Sequence, residues 1–352
     1  MIAESMVPNE PKKSTIAFCR CLIPMKLGLI GCGQVASLFH LPAMKEIPGM
    51  QIEAIADIDK KRVERFGSKH RIEKRYADHR SMFRDCHIDS VLVCTPPKTH
   101  AQIVLDSIDR NLNVLCEKPF TCNLSEIDTI LKRANQNLVL FPVHNYVFTP
   151  SLWLIEHLIR NRNLGKLEEI NVHLSVGFNT WRSVTNYRTL DPAGVITDLL
   201  YHVIYVTQRL YGPNAEFTKV KTGKRNRHAL ADVSVEGWLE NEARLKMSAS
   251  WSTLLPHFKI MLRYPTASVE TDLIWHPYKM FAKGIDKGHM PKPLKGRYAE
   301  LRSLVSVAHP SFRFLHQDFR NSVMSRSVPQ VNVKNARETL QTVETVTKMA
   351  GM

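Results

Sequence analysis

Asp198 and His202 stand four residues apart in the run from Val195 to Val206, whose other titratable groups are Tyr201 and Tyr205. On a helix, a spacing of four puts both side chains on one face. An unpartnered carboxylate in so apolar a run costs several kcal/mol, so the pair is either satisfied inside the core or lines a cavity. In a cavity, a carboxylate and an imidazole can take up and steer a proton. Lys118 follows the apolar run Val114-Leu115-Cys116 and precedes Pro119. It is either a solvated lysine or an ammonium at the carboxyl edge of a sheet, where ligands bind in doubly wound folds.

Gly31-Cys32-Gly33-Gln34-Val35-Ala36 follows a strand pattern and opens a helical one. In that context Gly31 serves a tight turn, Gly33 lets backbone approach a pyrophosphate, and the small Ala36 allows helix to pack closely on strand. The loop residues Cys32, Gln34 and Val35 and the helix N-terminus then offer N–H groups and a positive dipole to phosphate. Asp57 closes the next strand pattern. It either accepts bonds from ribose hydroxyls, which favours NAD over NADP, or caps the helix that starts at Lys60. Lys60, Lys61 and Arg62 beside it keep NADP open.

These side chains need a frame to bring them together, and the hydrophobic pattern supplies one. From Met25 to about 145, apolar runs alternate with helical patterns: strands over 27–30, 51–56, 90–94, 113–116 and 138–143, and helices over 35–46, 60–70, 100–110 and 125–135. That alternation predicts βαβ units and a Rossmann-type parallel sheet. Beyond Pro150, a helix over 152–160 leads into longer alternating segments over 167–176, 217–221, 231–240, 245–252, 259–264 and 269–274. A helix over 195–210 interrupts them, so the second half is predicted to be an α/β domain with an open, mainly antiparallel sheet. The expected organisation is a dinucleotide domain over 25–145, a substrate and oligomerisation domain over 146–330, and a closing amphipathic helix within 331–352. Residues 1–24 read as a disordered extension or a misassigned start ahead of Met25. Residues 279–302, with seven basic and two acidic side chains, read as a mobile basic excursion.

The 352 residues hold 48 Lys and Arg against 33 Asp and Glu, a net of +15, of which +4 falls before residue 151 and +11 after it. With 44% hydrophobic and 23% charged residues the composition is that of an ordinary globular protein, which excludes dominant disorder. No apolar run reaches the roughly 18 residues of a membrane span, so a soluble, cytoplasmic chain with no membrane partner is expected. The basic clusters 219–227 and 279–302 form no reading helix and no aromatic-basic stripe, and no nucleic-acid partner is expected. The seven cysteines all precede residue 123 and several lie in strand patterns, which suits buried free thiols. Cys19 and Cys21 are too close for zinc pairing, and no metal site is expected.

Three motifs in order, the glycine loop, Thr95-Pro96-Pro97-Lys98-Thr99-His100 and Glu117-Lys118-Pro119, resemble the Gfo/Idh/MocA oxidoreductases, the family of glucose-fructose oxidoreductase and inositol dehydrogenase. Gly194-Val195-Ile196-Thr197-Asp198-Leu199-Leu200-Tyr201-His202 resembles that family's second-domain Asp-x-x-x-His helix. The resemblance implies an NAD-dependent enzyme moving a hydride at a sugar or cyclitol hydroxyl. His202 would be the general base, Asp198 its assisting carboxylate, and Lys118 the ammonium that stabilises alkoxide character. It further implies that Thr95, Pro96, His100 and Glu117 border the cofactor. Asn145 and Tyr146, at the domain junction, are candidate substrate contacts. So are Trp181 and Arg182, with Tyr187 and Arg188, whose mix of rings and guanidinium groups suits a polyol or an anionic sugar. A homodimer or homotetramer through the second sheet is implied as well.

The sequence departs from the family in keeping only Gly194 before the aspartate helix and in reading His144-Asn145-Tyr146 where many members carry an arginine. Two other activities fit the motifs: a glycosidase that oxidises its sugar transiently, and a non-catalytic dinucleotide-binding regulator. Retention of Lys118, Asp198 and His202 weighs against the regulator.

Overall fold

β1 (Met25–Ile30) is buried along almost its whole length, as a central parallel strand covered on both faces must be. Its partners are β2 (Met50–Ala56), β3 (Lys74–Tyr76), β4 (Ser90–Val93), β5 (Asn113–Cys116) and β6 (Leu140–Pro142), all parallel, in the order β3-β2-β1-β4-β5-β6. The computed structural model describes residues 24–160, 164–178, 190–226, 228–285 and 309–352. Five helices join the six strands: α1 (Leu41–Lys45), α2 (Lys60–His70), α3 (His79–Asp85), α4 (His100–Ile108) and α5 (Leu124–Arg133). A π-helical turn, Ala36–His40, precedes α1. Strand order reverses between β1 and β4, so the loops after β1, β4 and β5 gather at one carboxyl edge, the ligand edge of such sheets.

α6 (Pro150–Arg160) carries the chain to a second sheet. That sheet is built from β7 (Glu169–Ser175), β8 (Ala215–Thr222), β11 (Asp232–Leu239), β12 (Arg244–Ser250), β13 (His257–Arg263), β14 (Ser268–Asp272) and β15 (Phe281–Lys283), while β9 (Arg225–Asn226) and β10 (Ala229–Leu230) form a small hairpin. The order is β15-β14-β13-β7-β12-β11-β8, antiparallel except for the parallel pair β7 and β12. Residues alternate strictly along β13: Phe258, Ile260 and Leu262 face inward, while Lys259, Met261 and Arg263 face solvent. α7 (Tyr201–Tyr211) covers the inner face after a second π-helical turn, Ile196–Leu200. One continuous core runs from Leu27, Leu29 and Ile55 through Phe148 to Ile170, Leu245 and Ile260 and so joins the two sheets.

Two helices complete the chain, α8 (Pro310–Ser325) and α9 (Val333–Met349). α9 returns to the first domain: Arg337 pairs with Asp128 at 2.6 Å, and Val333 and Ala336 join the core on the far side of the parallel sheet.

Several elements go beyond the pattern reading, the two-residue strands β9 and β10 among them. β3 is only Lys-Arg-Tyr, with no apolar run to mark it, and α3 buries just Met82 and Phe83. α8 hides because its buried face includes His316, Arg320 and Ser322, which breaks the apolar period. β15 corrects the basic excursion at its start; residues 286–302 lie outside the described residues. The five cysteines among the described residues are free, and Cys122 is exposed.

Candidate active site

Gly31 ends β1 with φ +96°, and a Cβ there would lie 2.6 Å from the Cys94 carbonyl oxygen. Its N–H donates to Ala56 O at 2.8 Å, so the turn is drawn tight between the ends of β2 and β4. Gly33 is the reverse case: a Cβ there would meet nothing within 4 Å. Backbone therefore lies open above the second glycine, as close approach of a pyrophosphate requires. Gln34 is exposed and Val35 half-buried on the open side of the loop. Burial, reinforced by the nearby Asp57 charge and opposed by Arg62, pushes the Cys32 thiol up to about 12, so it serves as an inert spacer.

Asp57 is buried at the end of β2. Its Oδ2 accepts the Cys32 N–H at 2.9 Å, its Oδ1 accepts the Asp59 N–H at 2.9 Å, and Arg62 Nη1 lies 3.4 Å from Oδ2. The cap of α2 is Asp59, which accepts the Arg62 N–H at 3.1 Å, so the capping alternative for Asp57 falls to its neighbour. A carboxylate has about four acceptor positions, leaving Asp57 capacity for ribose hydroxyls.

Thr95 and the exposed Pro96 follow β4, and buried His100 ties their loop to the next one. Its two ring nitrogens lie 2.8 Å from Thr95 O and 2.8 Å from Pro119 O. That second loop carries Glu117 and Lys118. Lys118 Nζ donates to Asp198 Oδ1 at 2.9 Å and to Asp198 O at 2.8 Å, across from the first domain to the second. Trp251 Nε1, at the end of β12, donates to the other carboxylate oxygen, Asp198 Oδ2, at 3.3 Å. Asp198 sits within the π-helical turn, a wider winding often found at functional sites.

Behind Lys118, Glu117 Oε2 accepts the Lys118 N–H at 3.0 Å and Oε1 accepts from His40 Nε2 at 2.8 Å. Burial opposes the Glu117 charge, but the bond from His40 and the positive charge of Lys118 outweigh it and hold the carboxyl below its ordinary value. His40 Nδ1 lies 3.0 Å from His316 Nε2 on α8.

His202 follows Asp198 by one turn, and its Nδ1 lies 2.8 Å from the Tyr205 hydroxyl. Tyr146 stands edge-on to the His202 ring, centroids 5.3 Å apart at 86°. Burial, with the charges of Asp272 and Asp198, drives the Tyr146 phenol upward, so it stays protonated. Asn145 Oδ1 accepts from the same Tyr205 hydroxyl at 3.2 Å. Thus Lys118, the neighbours Asn145 and Tyr146, and the helical pair Asp198 and His202, three segments widely separated in sequence, meet around one junction. Trp181, Arg182, Tyr187 and Arg188 lie outside the described residues. Pattern reading passed over Trp251, His40, His309, Ser311 and Tyr205; only Tyr205, three residues past His202, carried a local signal. A groove of about 1100 Å³ lies away from all these groups, lined by Phe217, Trp238, Glu240, Glu338 and Met349. It gathers no residue of the motifs, so chemistry rather than volume locates the site.

Burial also depresses several histidines: His144 to about 3, and His309 to about 4 despite its bond to Leu273 and the nearby Asp272 charge. Each is lowered from 6.5, so in the unfolded chain each takes up its proton first as pH falls. Their contribution is complete above about pH 6.5 and is lost between there and pH 3–4, at about 1.4 kcal/mol per unit of separation. Melting temperature is therefore expected to fall steeply from pH 7 to pH 5 in thermal melts. A flat profile would mean that these rings are not held neutral.

A doubly wound dinucleotide-type domain, followed by an open mixed sheet whose covering helix reaches back to the first domain's ligand edge, defines the architecture. Residues 25–144 match the model of the Gfo/Idh/MocA family, described as an oxidoreductase family with an NAD-binding Rossmann fold. An uncharacterized oxidoreductase, YrbE, of Bacillus subtilis is 31% identical over 139 residues, 39% of this chain and 40% of that protein. Myo-inositol 2-dehydrogenase of Thermotoga maritima is 29% identical over 143 residues, 40% of this chain and 42% of that protein. The chain thus matches about two fifths of the length of these relatives. The fold extends further: the WlbA dehydrogenase of Bordetella pertussis, solved with NADH and UDP-GlcNAcA, superposes with a TM-score of 0.79 at 14% identity, covering 94% of this chain and 96% of that one. Among the described residues no helix is long and apolar enough to cross a membrane.

Proposed function

We propose that this chain is an NAD-dependent oxidoreductase that moves a hydride between a hydroxyl-bearing carbon of a sugar or cyclitol and the dinucleotide. The observation that carries the reading is the bond from Lys118 Nζ to Asp198 Oδ1, which joins the ligand edge of the first domain to the helix bearing His202. The open backbone above Gly33 and the ribose-side carboxylate of Asp57 fit a dinucleotide along that edge. When bound, the nicotinamide accepts or returns the hydride. His202 takes the hydroxyl proton as the carbon–oxygen double bond forms, and gives it back in reduction. Lys118 places an ammonium beside the oxygen where negative charge develops, and Asp198 with Trp251 holds that ammonium in place. Tyr146 and Asn145 border the same junction and are proposed substrate contacts.

NAD is preferred because Asp57 opposes a 2′-phosphate. Arg62, close against Asp57, makes that preference reversible. Asp57→Ser is expected to raise KM for NAD by about tenfold and to lower it for NADP, since a charge-assisted bond is worth roughly 1.5–3 kcal/mol. Unchanged KM values for both would remove Asp57 from the ribose site.

The test of the reading is a screen of sugars, inositols, sugar acids and sugar phosphates with NAD and with NADP in parallel. Accumulating NADH with a polyol is expected. Cleavage of glycosides without net NADH would assign the transient-oxidation hydrolase instead. A marked preference for acids or phosphates would give the positive charge of the second half a substrate. For the solvent face of the second sheet, where Trp238 and Met261 are 43% and 48% exposed, we propose contact with further copies in a homodimer or homotetramer. Sedimentation as a monomer would remove that assignment.

A further inference from the structure

We propose that Tyr205, Asn145, Ser311 and His309 form a one-way hydrogen-bond relay that fixes which nitrogen of His202 carries its proton. The inference deepens the reading of His202 as the proton acceptor and rests on it. Tyr205, Ser311 and His309 are positioning residues, acting through His202 rather than on substrate; Asn145, proposed above to border the substrate, gives its side-chain amide to the relay.

The direction of every link follows from a backbone carbonyl at the far end. Leu273 O can only accept, and His309 Nε2 lies 2.6 Å from it, so that nitrogen carries the hydrogen. Burial keeps the His309 ring singly protonated at neutral pH, against the pull of the Leu273 bond and the Asp272 charge. His309 Nδ1 is therefore an acceptor, and it takes the hydroxyl of Ser311 at 2.7 Å and the Ser311 N–H at 3.3 Å. With its one hydrogen committed, the Ser311 oxygen can only accept, which sets the amide end of Asn145 toward it, Nδ2 to Oγ 3.2 Å. Asn145 Oδ1 then faces Tyr205 and receives the phenol hydrogen at 3.2 Å. The Tyr205 oxygen has only acceptor capacity left. The backbone N–H of Tyr146 fills part of it at 3.2 Å, and His202 Nδ1, at 2.8 Å, fills the rest. Nδ1 thus holds the hydrogen, and Nε2 is the basic nitrogen.

Ser311, Tyr205 and Asn145 are 0%, 2% and 6% exposed, and the half-buried His309 has both ring nitrogens bonded. The ring of Tyr146 stands against both terminal imidazoles, 5.3 Å from His202 and 5.6 Å from His309. No proton travels along the relay, because burial holds the Tyr205 phenol far above its ordinary value and it cannot take the proton that His202 gains. Its effect is on basicity: the phenol oxygen accepts from Nδ1–H more strongly when the ring is charged, which favours proton uptake at Nε2. Among the described residues, the ionisable groups facing the relay include Asp198, one helical turn before His202 and paired with Lys118, His144 stacked on Tyr205, Tyr146 between the two imidazoles, and Asp272, itself paired with His257, beside His309.

The test reads the tautomer directly, by nitrogen NMR of imidazole-labelled full-length protein, with the His202 signals assigned from their absence in His202→Gln. Wild type is expected to show hydrogen on Nδ1. Tyr205→Phe and the more distant Ser311→Ala are each expected to give a mixed tautomer. They should also lower kcat about 10- to 100-fold with KM nearly unchanged, and move the acidic limb of the pH profile to lower pH. Ser311→Ala removes one hydroxyl and keeps the inference testable should Tyr205→Phe fail to fold. Hydrogen on Nε2 in wild type would overturn the proposal, as would a tautomer that neither variant moves. If the tautomer behaves as stated while His202→Gln keeps full turnover, the relay stands and the reading of His202 as base falls.

Discussion

Lys118→Met is expected to lower turnover by about 10³-fold or more while NADH binding changes little, since removing an aimed charge beside a developing oxyanion costs about 10²–10³ and this ammonium also orders its partner. The ammonium spans the two domains: its two bonds to Asp198, at 2.8 and 2.9 Å, link the first domain to the π-helical turn. Methionine keeps the length and the apolar stem and deletes the charge. The Lys118 and Asp198 side chains are 14% and 10% exposed, so the variant takes the positive partner from a largely buried carboxylate, and some stability is lost as well. The double variant Lys118→Met/Asp198→Asn separates the two effects. It should recover melting temperature without recovering turnover. Recovery of both would make Lys118 a structural residue.

Gly31→Val has the second large effect, and it acts on a different quantity. A β-branched residue at φ +96° is strained, and its Cβ would come 2.6 Å from the Cys94 carbonyl oxygen, 2.7 Å from the Cys94 carbonyl carbon and 2.9 Å from the Thr95 nitrogen. All three are backbone atoms at the end of β4, and they cannot move aside as a flexible side chain would. The first turn must therefore shift away from the ends of β2 and β4 and carry the open backbone at Gly33 with it. Dinucleotide affinity is expected to fall by at least about 100-fold, with a loss of roughly 1–3 kcal/mol in stability. Fluorescence titration with NADH measures the first and denaturant unfolding the second. Native affinity in the variant would show that the dinucleotide does not rest on this loop.

The two sites differ in how openly the sequence announces them. The glycine loop is local, and its spacing between a strand pattern and a helical one predicts both the tight turn at Gly31 and the clearance at Gly33. The second sheet was legible for the same reason, because alternation along β11, β12 and β13 is a two-residue period that needs no distant partner. Asp57 was half legible: its place at a strand end shows in the sequence, but the division of labour with Asp59 depends on which aspartate reaches the Arg62 N–H. Lys118 and Asp198 are 80 residues apart, and nothing in either neighbourhood says that they touch. The walls behind them were hidden more deeply. His40 and His316 meet across 276 positions, and Asn145 and Ser311 across 166. α8, which contributes Ser311 and His316, buries polar side chains in the places where a periodic apolar face would have revealed a helix. Buried polar networks erase the hydrophobic signal by which helices are read, and here they surround the chemistry.

Hydride transfer itself is the decisive measurement. Wild-type, Lys118→Met and His202→Ala proteins, each saturated with NAD, are mixed rapidly with the polyols that pass the screen, and nicotinamide absorbance is followed through a single turnover. Wild type is expected to form NADH within its first turnover. The two variants, while still binding NADH in fluorescence titrations, are expected to form none on that timescale. A full first-turnover burst from either variant would contradict the assignment of proton transfer and oxygen stabilisation to this junction.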